Sequence, residues 1–190
     1  MKKTVIGING IKRSGKDTAA DYLRHKLRAD VTTLYWAGLL KEITAISLGL
    51  PYHYFFDDGA KDEKFLIAPG VYMTGRELLQ KIGTNCFRDI IHKDFWIQRT
   101  VAAIKASYCD FVLIPDTRFP NEYNTIKELG GYVIKVLRPQ VETGDTHISE
   151  RALDGYTFDA VIDNSGPYHA PAFRNMLDDF INQMREDRRK

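Results

Sequence analysis

A lysine between a glycine-bounded loop and a helix can grip phosphate. Residues 10–18 have that form: Gly10-Ile11-Lys12-Arg13-Ser14-Gly15-Lys16-Asp17-Thr18. The spacing is G-x-x-x-x-G-K. Glycines at both ends permit backbone angles that a Cβ forbids, so successive N–H groups from Lys12 to Lys16 can converge on one anion. A helix starting where the loop ends adds partial positive charge, and the Lys16 ammonium can reach the β- and γ-phosphates of ATP. Chance gives roughly 0.06 bare matches in a chain this long at average composition, so flanking context decides. Val5-Ile6-Gly7-Ile8 reads as a strand buried on both faces, and Ala19, Ala20, Leu23 and Leu27 share one face of a helix. One position departs from the pattern. Asp17 stands where Ser or Thr usually meets Mg²⁺, and Thr18 follows. A carboxylate is a hard oxygen ligand that could hold Mg²⁺ directly or through water. It could equally cap the helix and touch no metal.

Other residues with chemical capacity stand farther along. Phe111-Val112-Leu113-Ile114 is a second buried strand, and Asp116 and Arg118 lie just beyond it. In an open parallel sheet, ligands bind beyond the carboxyl ends of strands. Thr74-Gly75-Arg76-Glu77 has capping-box spacing, so Arg76 belongs to the first turn of a helix. Gly83 interrupts that helix; it either lets something approach the backbone or marks a helix end. Trp96 lies off the Ile97, Val101, Ile104 stripe of the next helix. It is either a stacking plate for a ligand or ordinary packing.

The elements that must position these groups alternate strand and helix. The second strand spans Val31 to Trp36, and Ala37 to Gly49 is helical with Leu40, Ile43 and Ile46 or Ser47 inward. Pro51 to Met73 is irregular; Tyr52, Tyr54, Phe55 and Phe56 make a satellite aromatic cluster or a base-stacking surface. Pro120 opens a helix that Gly130-Gly131 ends. Tyr132 to Leu137 and Ala160-Val161-Ile162 are strands. In the last helix Phe173, Met176, Leu177, Phe180, Ile181 and Met184 step by three and four, a core stripe. Five strands alternating with helices predict an α/β fold: a parallel sheet covered on both faces. The long connection between the second and third strands is expected to form a helical substrate arm, about residues 50–93. Gln140 to Gly155 lacks apolar periodicity and reads as a mobile segment above the site or an ordinary loop.

Composition narrows the function. Lys and Arg total 27 against 25 Asp and Glu, a net charge of +2, which argues against a chain built to coat nucleic acid. Two cysteines, Cys86 and Cys109, are too few and too far apart in sequence to suggest a disulfide framework or zinc site, and they suit a reducing cytosol. The apolar run after Met1-Lys2-Lys3 is short and flows into the phosphate loop, so no targeting segment is expected. No stretch is long enough to span a membrane.

Taken together, these motifs resemble those of bacteriophage deoxynucleoside monophosphate kinases, a P-loop nucleoside monophosphate kinase-like family. The phosphate loop, Thr74 to Thr84, Phe95-Trp96, Asp116 to Glu122 and His147-Ile148-Ser149-Glu150 match in register. The likeness covers nearly the whole chain and is weakest from Pro51 to Met73. It implies a three-layer P-loop fold with an acceptor-binding arm and a lid at about 139–157. It also implies transfer of the γ-phosphoryl of ATP to a deoxynucleoside 5′-monophosphate. Asp after the loop lysine is normal in that family. The acceptor-binding positions it implies are Lys12, Arg76, Gly83, Trp96 and Asp116.

With that acceptor, the expected roles follow. Gly10, Lys12, Arg13, Ser14, Gly15, Lys16, Asp17 and Thr18 hold ATP, with Mg²⁺ at Asp17. Arg76 and Arg118 are fork donors for the acceptor phosphate. Asp116 accepts from the acceptor nucleotide or holds Mg²⁺ through water. Arg138 and Arg151 are lid candidates. The implied partners are small nucleotides, neither membrane nor stably bound nucleic acid; a homodimer is an option. The implied location is cytoplasmic, the host's for a phage enzyme. Two alternatives remain: a P-loop kinase with a hydroxyl acceptor, such as a coenzyme A precursor or a sugar, using Asp116 as base, or a nucleotide-dependent regulatory protein.

Overall fold

The computed structural model describes residues 3–27, 30–139, 152–166 and 171–189. The chain divides into two compact units: Met1–Leu34 with Ser107–Lys190, and Tyr35–Ala106.

The first unit contains a five-stranded parallel sheet. Its strands are β1 (Thr4–Asn9), β2 (Val31–Thr33), β5 (Phe111–Ile114), β6 (Tyr132–Leu137) and β7 (Ala160–Asp163), in the order β2-β5-β1-β6-β7. Strands β3 (Lys64–Ala68) and β4 (Val71–Thr74) belong to the second unit. All six residues of β1 are buried, as its central place requires. Alternate side chains serve opposite faces. Ile6, Ile8, Leu113, Ile134 and Val136 form one core with Ala19, Leu23 and Leu27 of α1 (Lys16–Leu27) and Phe173, Leu177, Phe180, Ile181 and Met184 of α6 (Pro171–Asp187). Val5, Val112 and Val133 are also buried, as is Ile126 of α5 (Pro120–Glu128). Each such aliphatic side chain contributes about 1.5–3 kcal/mol on burial.

Two boundaries differ from expectation. β2 ends at Thr33 rather than Trp36, although Leu34 N–H still donates to Leu113 O at 2.9 Å. Met176, expected in the α6 stripe, is 38% exposed. It sits at the margin of the apolar arc, where its Sδ accepts from Asp163 N–H at 3.3 Å.

The second unit begins with α2 (Gly38–Ser47), whose buried residues are Gly38, Thr44 and Ala45. The helix is rotated from the expected phase, leaving Ile46 63% exposed. Phe55 is fully buried against Ala45 and Ala60, with Tyr54, Phe65 and Leu79 around it. The aromatic run thus makes a satellite core; Tyr52 stays exposed. The stretch expected to be irregular holds the antiparallel β3–β4 hairpin, turning at Gly70 with φ 77°. Leu66, Ile67, Val71 and Tyr72 are exposed, so the hairpin lacks the buried alternate face that would have marked it in sequence.

α3 (Gly75–Gln80) starts at the capping box read from the sequence. Thr74 Oγ1 accepts from Glu77 N–H at 3.2 Å, and Glu77 Oε2 accepts from Thr74 N–H at 2.7 Å. The helix does not end at Gly83. It continues as a π-helical run, Lys81–Ile91, closed by His92 N–H on Phe87 O at 3.0 Å. α4 (Phe95–Ala106) buries Trp96, Ile97, Thr100 and Ile104.

Candidate phosphate-binding site

β1 delivers the chain to the loop at the centre of the sheet, and α1 leads away from it. Gly10 leaves no room for a side chain: a Cβ there would lie 2.6 Å from Val136 O and 2.5 Å from Ser14 Oγ. Arg13 adopts φ 63° and Gly15 φ 101°. A left-handed conformation at a residue with a Cβ costs about 1–3 kcal/mol and concentrates at functional sites. Ser14 N–H donates to Ile11 O at 3.1 Å, closing the loop. Lys16 is buried, and its ammonium donates to Ile11 O at 2.6 Å, which folds it back across the loop. Ser14 is fully buried, and its Oγ has no hydrogen-bond partner among the described residues. Lys12 and Arg13 are exposed.

Asp17 is the second residue of α1, in its first turn, and is exposed. It therefore does not occupy the position before the helix where a side chain caps. Its carboxylate complements the positive end of the helix instead. Among the described residues no group of three or more His, Cys, Asp or Glu side chains is arranged to hold a metal ion.

A cavity of about 300 Å³ lies beside the loop, lined in part by Gly15, Thr18, Tyr22, Arg138, Asn164 and Phe173. Arg138, read from the sequence as a lid residue, thus shares a cavity with Gly15 and Thr18. Arg151 and the greater part of the expected lid lie outside the described residues.

Asp116 and Arg118 follow β5 and are half-buried. Asn9, the last residue of β1, donates from Nδ2 to Thr117 O at 3.0 Å. Thr117 Oγ1 donates to Ile114 O at 3.2 Å. The first bond ties the Asp116–Arg118 turn to the strand that feeds the phosphate loop, and the second ties it back to β5. Glu122 Oε2 accepts from Arg118 N–H at 2.7 Å and Phe119 N–H at 3.0 Å. Burial pushes the Glu122 carboxyl up to about 7, and the Asp116 carboxylate adds to the rise. The two N–H donors and the Arg118 charge oppose it.

The remaining expected acceptor residues belong to the second unit. Arg76 is 62% exposed; its Nε and Nη2 donate to Asp62 Oδ1 at 3.2 and 3.0 Å. Gly83 is buried, and a Cβ there would lie 2.5 Å from Leu40 Cδ2. What approaches the Gly83 backbone here is a leucine of α2. Trp96 joins the buried face of α4 instead of lying off it. Its indole N–H donates to Gly83 O at 3.0 Å, and its ring packs 4.8 Å from Phe87 and 5.0 Å from Phe95. Gly83 and Trp96 are thus joined directly.

Two residues carry structure that the sequence reading left without a role. Glu122 was visible only as part of a motif. Asn164, directly after β7 in the structure, was given no role, yet its Nδ2 donates to Ser14 O at 2.8 Å. A polar residue at the carboxyl end of a parallel strand was the available signal.

No helix among the described residues is long and apolar enough to cross a membrane. The family model for deoxynucleotide monophosphate kinase matches residues 56–170. A putative deoxynucleotide monophosphate kinase of Acanthamoeba polyphaga mimivirus is 33% identical over 179 residues, covering 85% of this chain and 88% of that protein. The deoxynucleotide monophosphate kinase of Enterobacteria phage T4 is 24% identical, covering 85% of this chain and 92% of that protein. That of Escherichia phage RB69 is 24% identical, covering 85% and 93%. The phosphate loop and these likenesses agree, and the chain belongs to the deoxynucleotide monophosphate kinase family.

Proposed function

We propose that this chain transfers the γ-phosphoryl group of ATP to a deoxynucleoside 5′-monophosphate. The observation that carries the reading is the loop at the centre of the sheet. It has left-handed backbone at Arg13 and Gly15, a lysine folded across it, and a buried hydroxyl at Ser14 with no partner among the described residues. Family membership supplies the acceptor class.

Phosphoryl transfer needs positioning and charge neutralisation more than covalent help. The loop N–H groups and Lys16 hold the phosphates of ATP. Mg²⁺ supplies further neutralisation when bound. Asp17 is the carboxylate that would hold it, directly or through water. An acceptor phosphate has its second pKa near 6, so at pH 7 it is mostly dianionic and needs no general base. Arg76 and Arg118 are the fork donors for that dianion. Arg76 would trade its exposed pair with Asp62, worth about 0–1 kcal/mol, for a doubly charged partner. Asp116 accepts from the acceptor nucleotide or holds Mg²⁺ through water. The Trp96–Gly83 pair shapes the wall that receives the acceptor, and Arg138 is the described lid candidate. Nucleotides are the partners, in the cytoplasm.

The test is a steady-state panel of four deoxynucleoside monophosphates, their ribo counterparts and the free nucleosides, each with ATP and Mg²⁺. At least one deoxynucleoside monophosphate should be phosphorylated and the matching nucleoside should not. Turnover of nucleosides alone would instead assign Asp116 as base to a hydroxyl acceptor.

A further inference from the structure

Asn164 lies 150 positions from Ser14 in the chain, yet its amide reaches the loop. Its own backbone is fixed. Asn164 N–H donates to Leu137 O at 2.7 Å, at the end of β6, and Ser165 N–H donates to Asp163 Oδ1 at 2.8 Å. The side chain therefore projects from a rigid base, and Nδ2 donates to Ser14 O at 2.8 Å. A Cβ on Gly15 would collide with that same Nδ2. Glycine at position 15 thus serves two ends: a backbone at φ 101° and room for the amide.

A trans peptide points its C=O and the following N–H in opposite directions. A carbonyl of Ser14 drawn toward Asn164 turns the N–H of Gly15 the other way, away from that amide. The carbonyl would otherwise be able to rotate inward and present negative charge to the anion. We propose that Asn164 is a positioning residue for the donor phosphates, holding the Ser14–Gly15 peptide in the one orientation that offers Gly15 N–H to the triphosphate. This rests on the ATP-donor reading. It goes beyond that reading by assigning part of the loop's geometry to a residue that follows the sheet's edge strand.

Asn164→Asp keeps the shape but sets a carboxylate against the Ser14 carbonyl, and Asn164→Ala removes the donor without repulsion. Inorganic tripolyphosphate, which has no nucleoside, serves as a probe beside ATP. Calorimetric binding of both should weaken by roughly five- to tenfold in Asn164→Ala, the scale of one ordinary hydrogen bond, and by more in Asn164→Asp. The acceptor KM should stay within about twofold. A loss confined to ATP, with tripolyphosphate unaffected, would place Asn164 against the nucleoside and overturn the proposal. So would unchanged binding of both, or an equal loss of donor and acceptor constants with a lowered melting temperature. Parent protein that binds tripolyphosphate in an Asn164-dependent way but transfers no phosphoryl group would uphold this proposal and defeat only the kinase reading.

Discussion

Glu122 is the residue whose surroundings most change its chemistry. Its carboxyl titrates at about 7, against an ordinary value of 4.5, because burial disfavours the charge and Asp116 stands near. Between those two values the folded chain holds a proton that the unfolded chain releases. Stability from this group is therefore complete below about 4.5 and is lost as pH rises through about 7. Asp116 and Arg118 are the charged groups that act on it, with opposite signs. Glu122→Gln keeps an oxygen for Arg118 and Phe119 N–H and removes the titration. Melting temperatures of parent and variant at pH 5 and pH 8 should show a smaller drop in the variant. Equal drops would mean that Glu122 is already ionised at pH 5. The carboxyl was invisible as a perturbed group in sequence, because its burial is a tertiary fact. The place of Lys16 was legible because one spacing rule fixes its element and its neighbours together.

Among the elements, those whose pattern coincides with their burial were read correctly. β1, α1 and β5 have continuous apolar runs or a single apolar face, and they frame the phosphate loop. The β3–β4 hairpin was missed because Leu66, Ile67, Val71 and Tyr72 are exposed, while Phe65 packs against the Phe55 cluster. The helix around Gly83 was read as interrupted because a glycine normally costs a helix about 1 kcal/mol. Here that cost is offset by close packing with Leu40, and the chain shifts to π-helical geometry without stopping. Trp96 was misplaced by one step of the stripe, and its hydrogen bond to Gly83 O could not be foreseen without the π-helical turn. The Thr74 cap, by contrast, was fully legible and is a sharp stability probe. Glu77 is shifted the other way from Glu122: the backbone and side-chain bonds from Thr74 hold its carboxyl below the usual range, against a smaller upward push from burial. Thr74→Ala should cost about 1 kcal/mol, read as a melting shift of roughly 2–4 °C. No shift would mean that the helix start is held by its tertiary contacts alone.

For the molecule as a whole, the proposed donor machinery, together with Asp116 and Arg118, falls in one unit and Arg76 in the other. The donor loop lies in Met1–Leu34 with Ser107–Lys190, and Arg76 lies in Tyr35–Ala106. Arg76→Lys retains charge but cannot make a two-pronged contact. It should raise the acceptor KM and lower turnover while leaving ATP binding within about twofold; a matching loss of ATP affinity would show that Arg76 is not specific to the acceptor. The free thiols are divided in the same way. Cys86, exposed in the π-helical run, belongs to one unit, and half-buried Cys109 to the other. The natural chain thus carries one attachment point per unit. A pair of spin labels on these two sulfurs would measure the separation of the units by dipolar spectroscopy. Recorded with no nucleotide, with one and with both, it would turn ligand occupancy into a set of interspin distances in a chain of wild-type sequence.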